Sequence, residues 1–227
     1  THTLMLTAGL RADNHQLFGS ELSPRAYLVW EASPALVVKG GFGHAFKAPT
    51  LKQISPNYVG AEGPHTFAGN ANIQPESSNS FEVGADWQAA PGWTLRATVF
   101  NTEVKDLITY RLLRTEGTRR FYQYDNVDAA RIRGLEAGVV WDISRAWSWS
   151  NDLTLLNTRD KTTGKKLADR PSSSLTSRLE WKNASGWSAR VAGEFTGSQT
   201  ATDGKPLPSY ALWSASVGKQ IALDGER

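Results

Sequence analysis

Apolar and polar side chains alternate along about ten segments of the chain, and this pattern constrains the fold more than any other feature. In the clearest segment, Leu175, Leu179 and Trp181 share one face while Arg178 and Glu180 share the other. The same alternation recurs at about 4–13, 25–32, 35–46, 81–88, 93–110, 121–143, 146–158, 187–196 and 209–221. Because successive side chains of a strand point to opposite faces, the sequence predicts an all-β protein whose sheet has one apolar and one polar face.

The connections between these predicted strands alternate in length. Short links are predicted at 33–34, 90–92, 144–145, 184–186 and 224–225, whereas longer polar links are predicted at about 15–22, 48–78, 112–119, 160–172 and 199–208. In an antiparallel meander, alternate connections lie at the same end, so all the short links share one end of the sheet. Outer-membrane barrels have short periplasmic turns and long external loops. The pattern therefore predicts a transmembrane antiparallel up-and-down β-barrel.

Tryptophan placement supports this prediction. Eight of the nine tryptophans lie beside the short links, namely Trp30, Trp87, Trp93, Trp141, Trp147, Trp149, Trp181 and Trp187. Indole combines an apolar ring with one N–H donor and favours the headgroup zone, where barrels carry aromatic belts. The alternative is a soluble barrel whose end is closed by core tryptophans.

Composition narrows the classes of function. The net charge of +3 is small and the basic residues are dispersed, which argues against nucleic-acid binding. The sequence has no cysteine, so it can form neither a disulfide nor a cysteine-based metal site. No apolar run approaches the roughly 20 residues of a spanning helix. The mean hydropathy of −0.41 fits a barrel wall in which every second residue faces water.

The alternation is already present at Thr1 and continues almost to Arg227. We therefore expect residues 1–227 to be part of a longer barrel domain, with the earliest and final strands outside this sequence. Large outer-membrane transporters have about 22 strands and a plugged lumen. On that scale, about ten strands form a little under half of the wall.

Five segments, in the same order as in the family, resemble motifs of TonB-dependent outer-membrane receptors. They are GGFGHAFKAPT at 40–50, GNANIQPESS at 69–78, FEVG at 81–84, FNTEVKDLI at 100–108, and Asn126-Val127 with ARIRGLE at 130–136. Lys47 and Ala71 depart from the usual arginine and proline. The segment 51–58 resembles the catecholate branch of the family, the ferric enterobactin type. Physically, the prolines and glycines of the first two motifs end a strand and turn a long loop back, which favours a structural role for them.

The resemblance implies a multi-pass receptor in the outer membrane of a Gram-negative bacterium. Such a receptor imports a ferric siderophore, here a catecholate, and contacts outer-membrane lipid and lipopolysaccharide. The family also has an N-terminal plug and a segment that engages the TonB complex, neither of which is in this sequence. Haem uptake by the same family is an alternative. A passive porin is another, although it would lack the five motifs.

No enzyme motif occurs in the sequence. The histidines His2, His15, His44 and His65 are scattered without the spacing of metal ligands, and no GxSxG elbow is present. We therefore expect no catalytic residue, no metal site and no cofactor.

A ferric catecholate is a bulky anion with aromatic rings, so aromatic and cationic side chains near the outer mouth are the candidate ligand-binding residues. They are Tyr58, Phe67, Arg111, Arg114, Arg119 and Arg120. His65 joins them because haem receptors of the family carry a histidine in this loop and imidazole ligates haem iron. The alternative is that these are solvated loop residues or charges that meet lipopolysaccharide phosphates. Arg11, Arg178 and Arg190 face the predicted lumen and are expected to pair with Asp and Glu on the lumen wall or on the plug that the family resemblance implies.

Overall fold

The computed structural model describes residues 3–221, which form fourteen strands and one four-residue helix. In chain order the elements are β1 Leu4–His15, β2 Gly19–Ser33, β3 Leu36–Lys47, α1 Leu51–Ile54, β4 Val59–Glu62, β5 His65–Ala68, β6 Glu76–Ala90, β7 Trp93–Glu116, β8 Arg119–Asp142, β9 Trp147–Asp160, β10 Ser173–Lys182, β11 Trp187–Thr196, β12 Gln199–Thr200, β13 Pro206–Leu207 and β14 Tyr210–Lys219. Between residues 3 and 221 there is no helix long and apolar enough to cross a membrane.

Ten strands form one continuous antiparallel sheet in the order β1-β2-β3-β6-β7-β8-β9-β10-β11-β14. Each strand pairs with the next strand of the wall, so the chain runs up and down without a crossover. Within residues 3–221 the sheet is not closed, since β1 and β14 each pair with one wall strand. The predicted all-β, up-and-down wall of about ten strands is confirmed. The remaining strands, β4, β5, β12 and β13, belong to the long connections.

The short links predicted at one end of the sheet are confirmed, whereas two of the long links predicted at the other end are wrong. Four tight turns lie at one end, at 34–35, 91–92, 143–146 and 183–186. At the opposite end the predicted long links at 15–22 and 112–119 are wrong, since the turns there span 16–18 and 117–118. Gly19 and Gly117 have φ of 76° and 60°, which glycine adopts without strain and which tight hairpins require. The turn predicted at 224–225 lies outside the described residues.

One face of the wall is apolar and exposed. Leu175 and Phe195 are register partners, as are Leu179 and Val191, and these side chains are 37, 41, 38 and 49% exposed, respectively. The buried apolar residues among those described are few: Ile73, Val104, Tyr122, Ala130, Leu167 and Ala192. A water-soluble domain of this size buries most of its large apolar side chains. The exposed face is therefore a lipid-facing surface, and the soluble-barrel alternative fails.

The opposite face is polar and carries ion pairs between neighbouring strands. Lys39 pairs with Asp86 at 2.7 Å, and Arg190 pairs with Glu180 at 2.6 Å. Arg96 pairs with Asp152 across two strand spacings. These pairs confirm a charged lumen surface. Arg11 pairs with Asp13 at 2.6 Å, as expected, whereas Arg178 has no carboxylate partner among the described side chains.

The tryptophans near the short turns form a belt on the lipid-facing side. Trp93, Trp141 and Trp149 lie side by side in register on three strands, and the rings of Trp93 and Trp141 stack at 4.8 Å. Trp147 and Trp181 are likewise register partners. The predicted aromatic belt is therefore present, and it marks the boundary of the lipid-facing surface at the short-turn, periplasmic end of the wall.

The belt also gives the tilt of the strands. A line perpendicular to the strands runs from Trp30 in β2 to Phe195 in β11 in seven strand-to-strand steps. The belt, however, meets β11 at Trp187, eight residues nearer the short turns. Eight residues span about 26 Å and seven strand spacings about 34 Å, which gives a tilt of about 38°. This value lies within the roughly 35–45° of outer-membrane barrels.

Candidate ligand-binding site

Strands β7 and β8 continue beyond the wall as a projecting hairpin. Pairing of β6 with β7 ends at Lys105, and pairing of β9 with β8 ends at Ala130. Beyond these residues β7 and β8 pair with each other, to the turn at 117–118. In this hairpin, Tyr110 lies opposite Tyr124. The hairpin therefore carries aromatic side chains to the outer mouth.

The loop between β3 and β6 docks on the free edge of this hairpin. Strand β5 pairs in parallel with β8, with Phe67 opposite Tyr122. The ring of Phe67 stacks on Tyr122 at 5.1 Å and meets Tyr110 edge-on at 5.2 Å, and Tyr124 lies 6.3 Å away. These four rings, Phe67, Tyr110, Tyr122 and Tyr124, form the aromatic cluster. The cluster fixes the loop against the hairpin through packing and offset ring contacts.

The second family motif ties the same loop to the edge of β8. A Cβ atom at Gly69 would collide with the carbonyl oxygen of Ser55, so only glycine fits there. The Asn70 amide donates to the carbonyl of Tyr124 at 3.0 Å. The Asn126 amide donates to the carbonyl of Asp106 at 2.6 Å, and Asn126 also accepts from the backbone N–H of Gln74 at 2.9 Å. These contacts support a structural role for the motif.

A cavity of about 650 Å³ lies between the hairpin and the connections 161–172 and 197–209. Tyr110 and Tyr124 line it from the hairpin, and Lys166 and Arg170 line it from the first connection. Leu167 is buried beside the cavity, where it packs with Val104 and Ala130 at the top of the wall. The cavity thus combines aromatic rings with positive charge at the outer end of the lumen.

The acidic side chains at this cavity are held by other protein groups. Asp125 pairs with Arg111 at 3.1 Å, and Asp203 pairs with Arg120 at 2.9 Å. Asp160 accepts a hydrogen bond from the Thr163 hydroxyl at 2.6 Å, and Asp169 accepts one from the Thr202 hydroxyl at 2.6 Å. By contrast, Lys166 and Arg170 have no carboxylate partner among the described side chains. The two cations are therefore free to meet an anionic ligand.

Three titratable groups around the cavity have shifted pKa values. Burial raises the pKa of Tyr124, and the nearby Glu62 and Tyr58 raise it further, so this phenol stays protonated. Burial acts to raise the pKa of Asp160, but hydrogen bonds from Thr163 and Thr162 lower it overall. A hydrogen bond with Tyr122 and the charge of Asp203 raise the pKa of Arg120. At neutral pH the phenol of Tyr124 is therefore neutral, whereas Asp160 and Arg120 are charged.

The structure separates the seven predicted ligand-binding residues into two groups. The docked loop places Tyr58, His65 and Phe67 beside the tyrosines of the hairpin. Arg120 joins His65 at a second cavity of about 520 Å³ near the hairpin tip.

Of the other three arginines, Arg111 pairs with Asp125 at 3.1 Å, and both residues line the cavity of about 650 Å³. Arg114 pairs with Glu116 at 2.7 Å and covers the ring of Phe121 at 3.8 Å. Arg119 lies in register with Glu116 beside the turn. Contact of these residues with a ligand stays a prediction.

Tyr110, Tyr124, Lys166 and Arg170 were not predicted from the sequence. A partial signal for the tyrosines exists, since both are aromatic residues near the outer ends of predicted strands. No such signal exists for Lys166 and Arg170, because their position depends on how the connection folds. The described residues contain no group of three or more His, Cys, Asp or Glu side chains that could hold a metal ion.

Comparison with known proteins agrees with this architecture. Residues 1–225 match the family model of the TonB dependent receptor-like β-barrel. The chain is 30% identical over 240 residues to the ferric enterobactin receptor PirA of Pseudomonas aeruginosa, which covers 94% of this chain and 32% of that protein. It is also 30% identical over 196 residues to the ferrienterobactin receptor of Escherichia coli, covering 80% and 26%.

Solved structures give the same result. The crystal structure of the ferric enterobactin receptor PfeA in complex with BCV-L6 superposes with a TM-score of 0.78 at 26% identity, over 96% of this chain and 36% of that one. The chain thus spans about a third of the length of the relatives it matches. The family match, the lipid-facing surface and the aromatic belt show that the chain is part of a barrel wall in the outer membrane of a Gram-negative bacterium. The chain belongs to the TonB-dependent receptor β-barrel family.

Proposed function

We propose that the protein containing this chain imports a ferric siderophore of the catecholate class across the outer membrane. The observation that carries the proposal is the 30% identity to a ferric enterobactin receptor over 94% of the chain. That similarity includes the projecting hairpin and the loop docked on it, the two elements that build the outer mouth.

The chemistry of the mouth suits such a ligand. A ferric catecholate presents aromatic rings and a net negative charge, so it calls for rings to stack on and cations to pair with. The cavity offers both, through Tyr110 and Tyr124 on the hairpin and through Lys166 and Arg170 opposite. Because the nearby carboxylates are already held by other protein groups, they oppose an anion less than free carboxylates would.

Within this proposal the residues predicted from the sequence have different roles in contacting the ligand. Tyr58 and Phe67 shape the aromatic wall of the mouth, and Arg120 adds a cation near its outer rim. Arg111 lines the cavity and is paired with Asp125. Arg114 and Arg119 lie near the hairpin tip, where they would meet a ligand as it approaches from outside.

The remaining parts of the transport cycle are also proposals. We expect the lumen ion pairs of the wall to face a plug, and import to be energised by the TonB complex through the N-terminal part of the protein. The relatives are transport receptors, so we further propose that the ligand passes without covalent change.

Binding to the full-length receptor tests the substrate class. Ferric enterobactin and haem are titrated in parallel while the quenching of tryptophan fluorescence is followed. We expect tight binding of ferric enterobactin, weakened about tenfold or more in Lys166→Gln/Arg170→Gln, since each charge-assisted contact is worth roughly 1.5–3 kcal/mol. A matched control, Arg145→Gln/Lys182→Gln, removes two charges at the short-turn end and should bind like the wild type.

Haem is the competing ligand in the same assay. A haem relative, the Heme/hemopexin utilization protein C of Haemophilus influenzae, is 26% identical over 69% of this chain. His65 has its Nδ1 atom buried without a hydrogen-bond partner, and its ring meets Tyr122 edge-on at 5.9 Å. Haem binding that disappears in His65→Ala, together with no binding of ferric enterobactin, would contradict the proposed substrate.

A further inference from the structure

Five basic side chains lie together on the lipid-facing side of β7, β8 and β9, directly beyond the apolar part of the wall. The last apolar row joins Val99, Leu135 and Leu155 in register. The rows beyond it carry the outer basic patch, defined as Lys105, Arg131, Arg133, Arg159 and Lys161. Since rows of one face are about 6.6 Å apart and strands about 4.8 Å apart, these cations occupy a compact area.

The height of the patch matches the outer membrane boundary. Arg133 and Arg131 lie eight and ten residues beyond Trp141 of the belt on the same strand. At the strand tilt of about 38°, each residue rises about 2.6 Å along the membrane normal, which puts these side chains about 21 and 26 Å above the belt. The apolar band of an outer-membrane barrel is about 25 Å tall. The patch therefore lies at the level of the outer-leaflet headgroups.

The three arginines of the patch lack ion-pair partners among the described side chains. One carboxylate, Glu103, lies among them and pairs with Lys161 at 2.9 Å. Arg131, Arg133 and Arg159 have no ion-pair partner among the described side chains, and the Nε atom of Arg131 is buried without an acceptor.

The lumen face shows the opposite arrangement. Lys39 and Arg190 each pair with a carboxylate on a neighbouring strand, and Arg96 pairs with Asp152 two strands away. These lumen-side cations are thus paired within the protein, whereas Arg131, Arg133 and Arg159 on the lipid side have no ion-pair partner among the described side chains. This contrast indicates that the partner of the patch comes from the membrane.

We propose that the outer basic patch binds the phosphorylated headgroup of an outer-leaflet lipid. Arginine forks suit phosphate oxygens, and the adjacent arginines of two neighbouring strands give several donors to one group. A shallow groove of about 520 Å³ runs from Arg133 across Val99, Leu135 and Leu155, and it gives the acyl chains an apolar surface directly below the phosphates. A soluble anion would make no use of that surface. The patch faces away from the lumen, so this proposal is independent of the siderophore.

The test is a titration of the full-length receptor in detergent with lipid A, the bisphosphorylated lipid of the Gram-negative outer leaflet, followed by native mass spectrometry. We expect the dissociation constant to rise about a hundredfold in Arg131→Gln/Arg133→Gln/Arg159→Gln, since each surface cation contributes about 1 kcal/mol, or about a factor of five, at an anionic membrane surface. Dephosphorylated lipid A should bind the wild type about as weakly as intact lipid A binds this variant.

A matched variant controls for the change in net charge. Arg11→Gln/Arg178→Gln/Arg190→Gln removes three cations from the lumen face and should bind lipid A like the wild type. Equal loss in both triple variants would overturn the proposal, as would wild-type affinity in the first. Full displacement of lipid A by millimolar inorganic phosphate would also overturn it, because the patch would then be a site for soluble anions.

A second variant keeps the test decisive if the glutamine variant does not fold. Folding is judged by the change in electrophoretic mobility that a folded barrel shows after heating. Arg131→Lys/Arg133→Lys/Arg159→Lys retains the charges and should keep most of the affinity. Wild-type affinity should fall steeply as salt is raised from 50 to 500 mM, since exposed charges are screened over about 10 Å at 0.1 M. Affinity independent of salt would contradict a phosphate partner.

Discussion

Single residues decide how the outer mouth holds its shape, and Gly69 is the clearest example. Its missing side chain lets the loop turn against the carbonyl oxygen of Ser55, while its carbonyl accepts a hydrogen bond from Gln123 at 3.3 Å. Gly43 also belongs to a family motif, yet a Cβ atom there would meet nothing within 4 Å. Two glycines of similar motifs thus have different physical reasons to be glycine.

We expect Gly69→Ala to loosen the docked loop and Gly43→Ala to leave it unchanged. The measurement is the rate at which trypsin cleaves the full-length receptor after Lys52. This residue is exposed and lies in α1, which contacts the turn of the loop. Cleavage should accelerate about tenfold or more in Gly69→Ala, because the backbone must shift to admit a methyl group. Equal rates in the two variants would show that the collision at Gly69 is absorbed at little cost.

Asp160 gives the mouth a dependence on pH. Its carboxylate accepts the backbone N–H groups of Thr162 and Thr163 at 2.8 and 3.0 Å, which closes the start of the connection 161–172. These bonds lower the pKa of Asp160 in the folded protein. Their contribution to stability is therefore full above the pKa of the unfolded chain and is lost as the pH falls through the lowered pKa.

Hydrogen exchange measures this effect directly. At pH 7, Asp160→Asn should lower the protection of the amides of Thr162 and Thr163 by about 1 kcal/mol, the usual worth of such a bond. After correction for intrinsic exchange rates, the difference from the wild type should shrink as the pH is lowered towards 3. A difference that grows towards acid pH would contradict the assigned direction of the pKa shift.

At the scale of elements, the projecting hairpin and the docked loop act as one unit. Strand β5 adds to the free edge of β8, and the aromatic cluster packs across the junction. This pairing joins residues more than fifty positions apart in the sequence. The mouth is therefore held by a small sheet and four rings rather than by the wall itself.

Phe67→Ala should release β5 from β8, since it removes ring contacts with Tyr122 and Tyr110 that are together worth about 2 kcal/mol. Amide exchange at 65–68 should become faster and the affinity for ferric enterobactin should fall. Val59→Ala, which shortens an exposed side chain of the same β-hairpin, should change neither. Unchanged exchange in Phe67→Ala would mean that backbone pairing alone holds the loop.

The elements also show what the sequence can and cannot predict. The wall strands were predictable because lipid on one side and water on the other force a period-two pattern, as at 175–182. The segment 112–119 was not, because a hairpin that projects into water lacks the regular alternation that lipid imposes and resembles a loop. Tyr58 and Phe67 were found through the family's loop, whereas Lys166 and Arg170 reach the cavity through tertiary folding alone.

For the whole molecule, the two faces of the wall meet different media. No other part of residues 3–221 covers the apolar face, the belt of tryptophans marks one boundary, and the outer basic patch marks the other. The polar face carries paired charges suited to a wet lumen. Two boundaries about 25 Å apart, on strands tilted by about 38°, are the geometry of an outer-membrane wall.

Spin labels test this claim most directly. The chain has no cysteine, so single cysteines are introduced into a full-length receptor without other cysteines, at Leu175, Leu179, Val191 and Phe195 on one face and at Thr176, Glu180 and Glu194 on the other. In bilayers, accessibility to oxygen and to a polar nickel chelate is compared. We expect high oxygen accessibility at the first four positions and low accessibility at the other three. Labels at the first four positions that are shielded from both reagents, as in a compact protein core, would contradict the account.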